Sequence, residues 1–218
     1  RVFKQQAVNP NLLRTVEMHV REFFYCVKGS GNKRSSMAKE VRWLKPAFGW
    51  LKLNTDGSVV GDNGIAGCGG LIRDSNGLWI TGFAKPTTAF SSLVAELFAL
   101  REGLALCVEL QAQAVEVELD ASAAISLISC NITSNGDLSV LVDDCREFLL
   151  QLPQARMTHC YREANCCADA LAKLGANLSS ACNRFNSPPP VAIPFLLVDS
   201  LGTARTRMVP FGSCNSSS

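Results

Sequence analysis

At 218 residues, 47% apolar and 18% charged, the chain has enough apolar sequence for one domain of ordinary size plus flanking segments. No apolar run approaches the roughly 18 residues a membrane helix needs, and the N-terminus lacks a signal-peptide pattern. On those features an intracellular protein is expected, nuclear or cytoplasmic, neither membrane-bound nor secreted. The net charge of +2 is unevenly spread: +7 over residues 1–45, −7 over 46–178 and +2 over 179–218. A basic arm beside an acidic domain can hold a polyanion while leaving an acidic pocket free for metal, or it can be a solvated linker without a partner.

After the breaker Asn9-Pro10, residues 11–27 place Leu13, Val16, Val20, Phe23, Phe24 and Val27 at helical spacing. This amphipathic helix suits a protein partner or a domain further upstream, and a chain starting at Arg1 rather than Met reads as a piece of a longer product. Residues 28–40 are linker-like, and the composition shifts near Trp43. The expected division is therefore a basic N-terminal helix and linker (1–45), a main domain (46–178) and a Pro/Ser-containing tail (179–218). Three strands are expected at about 49–58, 65–74 and 78–84, the last two joined at Ser75-Asn76-Gly77, where Asn-Gly suits positive φ in a tight hairpin. A helix from Ser92 to Glu109 follows, with Leu93, Leu97, Leu100, Leu104 and Cys107 on one face. Then come a strand at 115–119, a helix from Ala121, another around 138–150, a strand at 155–161 and a helix near 164–175 capped by Gly175. The order β-β-β-α-β-α-α-β-α implies an α/β fold with a five-stranded mixed sheet and helices on both faces.

The ten cysteines lack both a disulfide-scaffold spacing and a zinc-ligand spacing, and they read as buried reduced thiols. Four carboxylates carry more information. Asp56 and Asp120 end strand-like runs, while Glu96 and Asp169 sit in helical segments beside apolar residues. Lone carboxylates at strand ends and helix starts can converge, and a converged cluster repels itself unless hard cations sit within it. At least one of the four is then expected to have a raised pKa without metal. Taken singly, each has a structural reading as well: a turn at Asp56-Gly57, a helix-dipole partner at Glu96, a cap at Asp120, a surface residue at Asp169.

The ordered set Trp50-Leu-Lys-Leu-Asn54-Thr-Asp56-Gly-Ser58, Gly69-Gly-Leu-Ile-Arg-Asp74, Ala95-Glu96-Leu, Glu118-Leu-Asp120-Ala and Arg162-Glu-Ala-Asn165-Cys-Cys-Ala-Asp169-Ala-Leu-Ala-Lys173 resembles the ribonuclease H family. The resemblance is nearest to the plant reverse-transcriptase-like ribonuclease H proteins related to non-LTR retroelements. It covers about 45–178 and implies a ribonuclease H-like fold and an endoribonuclease that hydrolyses the RNA strand of RNA–DNA hybrids. It further implies two Mg²⁺ ions, replaceable by Mn²⁺, held by Asp56, Glu96, Asp120 and Asp169. Asn54, Ser58, Arg162 and Asn165 are the motif positions expected to meet nucleic acid, and Lys33, Arg34, Lys39 and Arg42 are basic candidates in the arm. Two departures stand out. Many family members carry a His just before the last Asp, where this chain has a short loop with Arg162; His159 falls in the strand and is assigned no catalytic role. The region 125–155, which in some relatives forms a basic protrusion, has Arg146 as its only basic residue. A catalytically idle interaction domain derived from a retroelement, and a DNA-cutting enzyme of the same fold, are the alternatives at this point. The intact carboxylate set counts against both.

Overall fold

Short-range chemistry sets the hairpin at residues 74–78. Asp74 Oδ1 accepts from the backbone N–H groups of Asn76 (2.9 Å) and Leu78 (2.8 Å), and Gly77 N–H donates to Asp74 O at 2.9 Å. Gly77 takes φ +83° but Asn76 stays at negative φ. The loop therefore closes on a left-handed glycine alone, not on the mirror-image turn that Asn-Gly suggests.

The computed structural model describes residues 36–61, 64–89, 91–130, 137–179 and 182–210. In chain order these form β1 (Ser36–Val41), β2 (Leu51–Val60), β3 (Ile65–Arg73), β4 (Trp79–Thr88), α1 (Ser92–Glu109), β5 (Val115–Leu119) and α2 (Ser122–Ser129). There follow α3 (Asp137–Gln151), β6 (Ala155–His159), a 3₁₀ turn at Arg162–Ala164, α4 (Cys166–Ala176), β7 (Asn183–Phe185), α5 (Ile193–Ser200) and β8 (Arg205–Pro210). The chain divides into two units. In the smaller one, residues 36–40 and 206–210 belong to a separate two-stranded sheet of β1 and β8. Residues 36–40 are thus strand where a linker was expected. The expected helix 11–27, Lys33 and Arg34 lie outside the described residues.

The larger unit, Val41–Arg205, holds a mixed sheet in the order β6-β5-β2-β3-β4-β7. β2, β5 and β6 run parallel, while β2–β3, β3–β4 and β4–β7 are antiparallel. The expected mixed sheet is present, with six strands rather than five. The extra strand, β7, comes from the stretch read as a tail. It is only three residues long and carries no alternation signal, and it is held on β4 by Trp79 Nε1 and Thr81 Oγ1 donating to Phe185 O (3.2 and 3.3 Å).

Alternation along β2 puts its two faces against different helices. Leu53, Thr55 and Gly57 meet α1, while β3 presents Gly67 and Gly69 to α4 on the opposite face. Gly69 pairs with Asp56, so Asp56 lies on the α4 side. A Cβ at Gly175 would stand 2.7 Å from Lys85 O and 2.9 Å from Cys68 O. Gly175 is therefore a buried helical residue that lets α4 approach the strands, and Asn177 is the cap instead. Under Trp43, the side chains of Lys52 and Arg73 are 1% exposed. Lys52 pairs with Glu118 (2.5 Å) and Glu116 (2.9 Å), Arg73 pairs with Asp199 on α5 (2.7 Å), and the Arg73 guanidinium stacks 3.5 Å from the Trp43 ring. Buried charge survives here because each cation has a carboxylate.

Candidate active site

The register of the parallel pair β2–β5 sets the first two carboxylates. Asn54 aligns with Glu118, so two residues further on Asp56 and Asp120 come level at the same end of the sheet. Glu96 arrives from the second turn of α1, whose start is fixed by Ser91 Oγ accepting from Val94 N–H (3.3 Å). The helix lies so close to β2 at Gly57 that any side chain there would overlap the Ala95 and Glu96 backbone. Each of Asp56, Glu96 and Asp120 offers a carboxylate oxygen, and these oxygens lie within 4.8 Å of one another.

Asp169, in the first turn of α4, lines the same cleft, about 690 Å³ in volume, with Asp56 and Asp120. It stands apart from the tight group of three, and its carboxylate pairs with Lys173 Nζ at 2.6 Å, one helical turn on. Arg162 Nε donates to Asp120 Oδ2 at 2.9 Å. Asp169 and Lys173 are 42% and 63% exposed, Asp120 and Arg162 6% and 83%, so both cations stand at the mouth of the cleft.

Charge crowding is strong. Burial, then the fields of Asp120 and Asp169, push the Asp56 carboxyl up to about 8 against the pull of Arg162 and Lys173. Burial, then Asp56 and Asp120, push Glu96 up to about 10. Glu96 Oε2 is buried without a hydrogen-bond partner among the described residues. A buried carboxylate oxygen without a donor, inside a cluster of hard oxygens, fits a divalent cation and little else the chain itself offers. The residues present therefore fit metal.

The sign of the pH effect follows. Both groups have folded pKa values above the unfolded values of about 4, so the folded chain keeps protons that the unfolded chain releases. Stability from these groups is fully present below about pH 4 and is lost as pH rises through about 8 to 10. With a chelator present, the melting temperature should fall between about pH 5 and about pH 9, and millimolar Mg²⁺ should remove most of that fall. Thermal melts across the range would show it; a flat profile without metal would mean the carboxylates do not repel.

The other expected contacts fare unevenly. Asn54 is fully buried and is not part of the cleft lining: its Oδ1 accepts from Trp43 Nε1 and Arg73 Nη2 (both 3.0 Å) and its Nδ2 donates to Glu118 (3.2 Å). Its motif position is explained by the buried charge network instead. Ser58 lines the cleft. Asn165 also lines it but is 2% exposed, and its Nδ2 donates to Thr55 O (2.9 Å), tying the start of α4 to β2 beside Asp56. Arg42 is exposed and Lys39 half-buried, outside the cleft lining. His159, exposed at the end of β6, has Nε2 3.2 Å from Asp120 O. Arg146 is occupied at the end of α2, donating to Ile128 O, Leu127 O and Cys130 O, and pairs with Asp143 (3.3 Å). The eight described cysteines are all free thiols. No helix among the described residues is long and apolar enough to cross a membrane. The sequence reading missed Lys173, which i to i+4 spacing from Asp169 could have flagged, and Phe195 and Arg205, which line the cleft from far along the chain.

Sheet order, helix placement and the carboxylate group together define a ribonuclease H-like fold with an acidic site at the end of its central strands. The profile of the reverse transcriptase-like family matches residues 54–175, and the chain belongs to that family. It is 35% identical over 179 residues to a protein of Arabidopsis thaliana named "Putative ribonuclease H protein", aligning over 82% of this chain and 29% of that protein. The chain thus spans under a third of that relative's length. Three solved structures that share the fold are the following. The N-terminal RNase H domain of a Mycobacterium tuberculosis protein has a TM-score of 0.55 at 22% identity, covering 59% of this chain and 94% of that one. The ribonuclease H1 of Halobacterium salinarum has 0.54 at 23%, covering 58% and 96%. A third, LC11 ribonuclease H1, solved in complex with an RNA/DNA hybrid, has 0.53 at 21%, covering 58% and 96%.

Proposed function

We propose that this chain is an endoribonuclease that hydrolyses the RNA strand of RNA–DNA hybrids, using divalent cations held by Asp56, Glu96, Asp120 and Asp169. The supporting observation is the group of three carboxylate oxygens within 4.8 Å, one of whose members, Glu96, keeps a buried oxygen without a partner. Two bound cations, Mg²⁺ or Mn²⁺, would supply the charge that lets water attack and the 3′-oxygen leave. The remaining work belongs to side chains. Arg162 holds the Asp120 carboxylate in one orientation, and its outward guanidinium nitrogens face the cleft mouth, where a phosphate would lie. Lys173 holds the Asp169 carboxylate at 2.6 Å, and its exposed ammonium would stand ready for the substrate backbone at the cleft mouth. Asn165 keeps α4, and with it Asp169, at a fixed distance from Asp56 through its bond to Thr55 O. The hybrid would be told from duplex DNA by the 2′-hydroxyls of its RNA strand and the shape of its minor groove.

The deciding experiment is cleavage of an end-labelled hybrid, duplex DNA and single-stranded RNA, each with Mg²⁺ and with chelator. Metal-dependent cutting of the RNA strand of the hybrid alone is expected. Cutting of duplex DNA instead, or equal cutting in chelator, would overturn the assignment.

A further inference from the structure

Beyond residue 175, where the family match ends, the chain returns to the cleft. Segment 183–205 is anchored along its length. β7 is fixed on β4, Phe195 and Leu196 pack against Leu71, Cys167, Ala168 and Leu171, and Asp199 pairs with the buried Arg73 at 2.7 Å. The exit from α5 is fixed by Gly202 N–H donating to Asp199 O (3.0 Å) and Thr203 N–H to Val198 O (3.2 Å), with Gly202 at φ +63°. That brings Arg205 to the cleft wall. Its Nη1 donates to Glu163 O (2.7 Å) and contacts Cys166 Sγ (2.6 Å).

The three cations that line this cleft differ in how their charge is used. Arg162 is held by Asp120 and Lys173 by Asp169. Arg205 bonds only to a carbonyl and a thiol, both through Nη1, and among the described residues no carboxylate forms an ion pair with it. A guanidinium clamped at one nitrogen is pre-organised, and its remaining donors and full charge suit a phosphodiester oxygen. The acidic domain needs such a group, because its 125–155 region offers only Arg146, which is already occupied.

We infer that Arg205, set by the anchored segment 183–205, holds a backbone phosphate of the nucleic acid beside the carboxylates, making that segment part of the substrate-binding surface. The inference rests on the hybrid-cleaving reading. It assigns a substrate contact from outside the family match, and segment 183–205 becomes functional wall rather than tail.

The test is binding of a fluorescein-labelled RNA–DNA hybrid by anisotropy over a range of salt, with chelator present so that no strand is cut. Arg205→Ala, Arg205→Lys and Arg184→Ala are compared with the parent. Arg184 pairs with Glu109, away from the cleft lining, so its removal deletes the same charge elsewhere. Arg205→Ala should weaken binding about fivefold or more and lower the salt slope by about one, as loss of one phosphate contact requires. Arg205→Lys should recover part of the affinity, and Arg184→Ala should stay within about twofold. An Arg205→Ala protein with the parent's affinity and slope overturns the inference while leaving the assigned activity intact, provided the parent cuts the hybrid with Mg²⁺. If Arg205→Lys melts like the parent yet binds no better than Arg205→Ala, with an unchanged slope for both, the arginine is only a strut and the inference fails. A parent that neither binds nor cuts the hybrid overturns the proposed function and this inference with it.

Discussion

Asp56→Asn should abolish hybrid cleavage while leaving the protein folded and, without metal, more stable at neutral pH than its parent. The two halves of that result have one cause. Asp56 is 7% exposed, on the central strand, and shares the crowded pocket with Glu96 and Asp120. Its carboxyl is pushed up to about 8, so near neutral pH the folded chain must keep a proton there that the unfolded chain releases, which costs stability. Asparagine has nearly the same shape and does not titrate, so that cost disappears and the metal-free melting temperature rises. Under the proposed function the same change also removes a metal ligand. Loss of one charge-stabilising group at a reacting centre costs about 10²–10³ in kcat, and loss of a carboxylate from the proposed metal site should cost at least that. The stabilisation by Mg²⁺ should disappear too. For the parent at about a hundred times Kd it would be about 2.7 kcal/mol, or roughly 5–10 °C for a domain of this size. Calorimetric melts with and without Mg²⁺, beside a cleavage time course, read both. An Asp56→Asn protein that still shifts with Mg²⁺ as the parent does would place the cation elsewhere.

The sequence made the four carboxylates legible because each interrupts an apolar stretch, and alternation and 3.6-residue spacing then placed them at the ends of elements. What stayed illegible was pairing. Asn54 sits in the motif run with Asp56 and, two residues away, on the same face of β2, and only the positions of Trp43, Arg73 and Glu118 show that it belongs to a buried network rather than to the cleft. Gly175 had the local look of a helix cap, and its actual role depends on Lys85 and Cys68 on other strands. β7 was missed because three residues give no period, and Arg205 because its cleft neighbours Glu163 and Cys166 lie about forty residues back. Lys173 was within reach, since its bond to Asp169 is a local helical one. Local signals survived, and contacts set by tertiary packing did not.

Gly57→Ala should damage both stability and catalysis, though it touches no carboxylate. A Cβ at that position would lie 2.3 Å from Ala95 C, 2.4 Å from Glu96 N and 2.6 Å from Ala95 O. All three are backbone atoms, so no side-chain rotation relieves the overlap, and ordinary contact at 3.4 Å or more requires α1 to move by about 1 Å. Overpacking of this kind costs about 1–3 kcal/mol. The same shift carries Glu96 away from Asp56 and Asp120, and stretches the hydrogen bond by which the Gly57 N–H lowers the Glu96 pKa. A displacement of about 1 Å at a reacting centre costs about 10²-fold in rate. Gly61→Asn is the comparison: Gly61 has φ +62° with nothing within 4 Å of an added Cβ, and Asn tolerates that backbone, so the change should be small. Urea denaturation and single-turnover cleavage at saturating Mg²⁺ measure the two effects separately. If Gly57→Ala matches the parent in both, the close approach of α1 to β2 is not what holds Glu96 in the site, and the carboxylate group must be maintained through Asp120 and Arg162 instead.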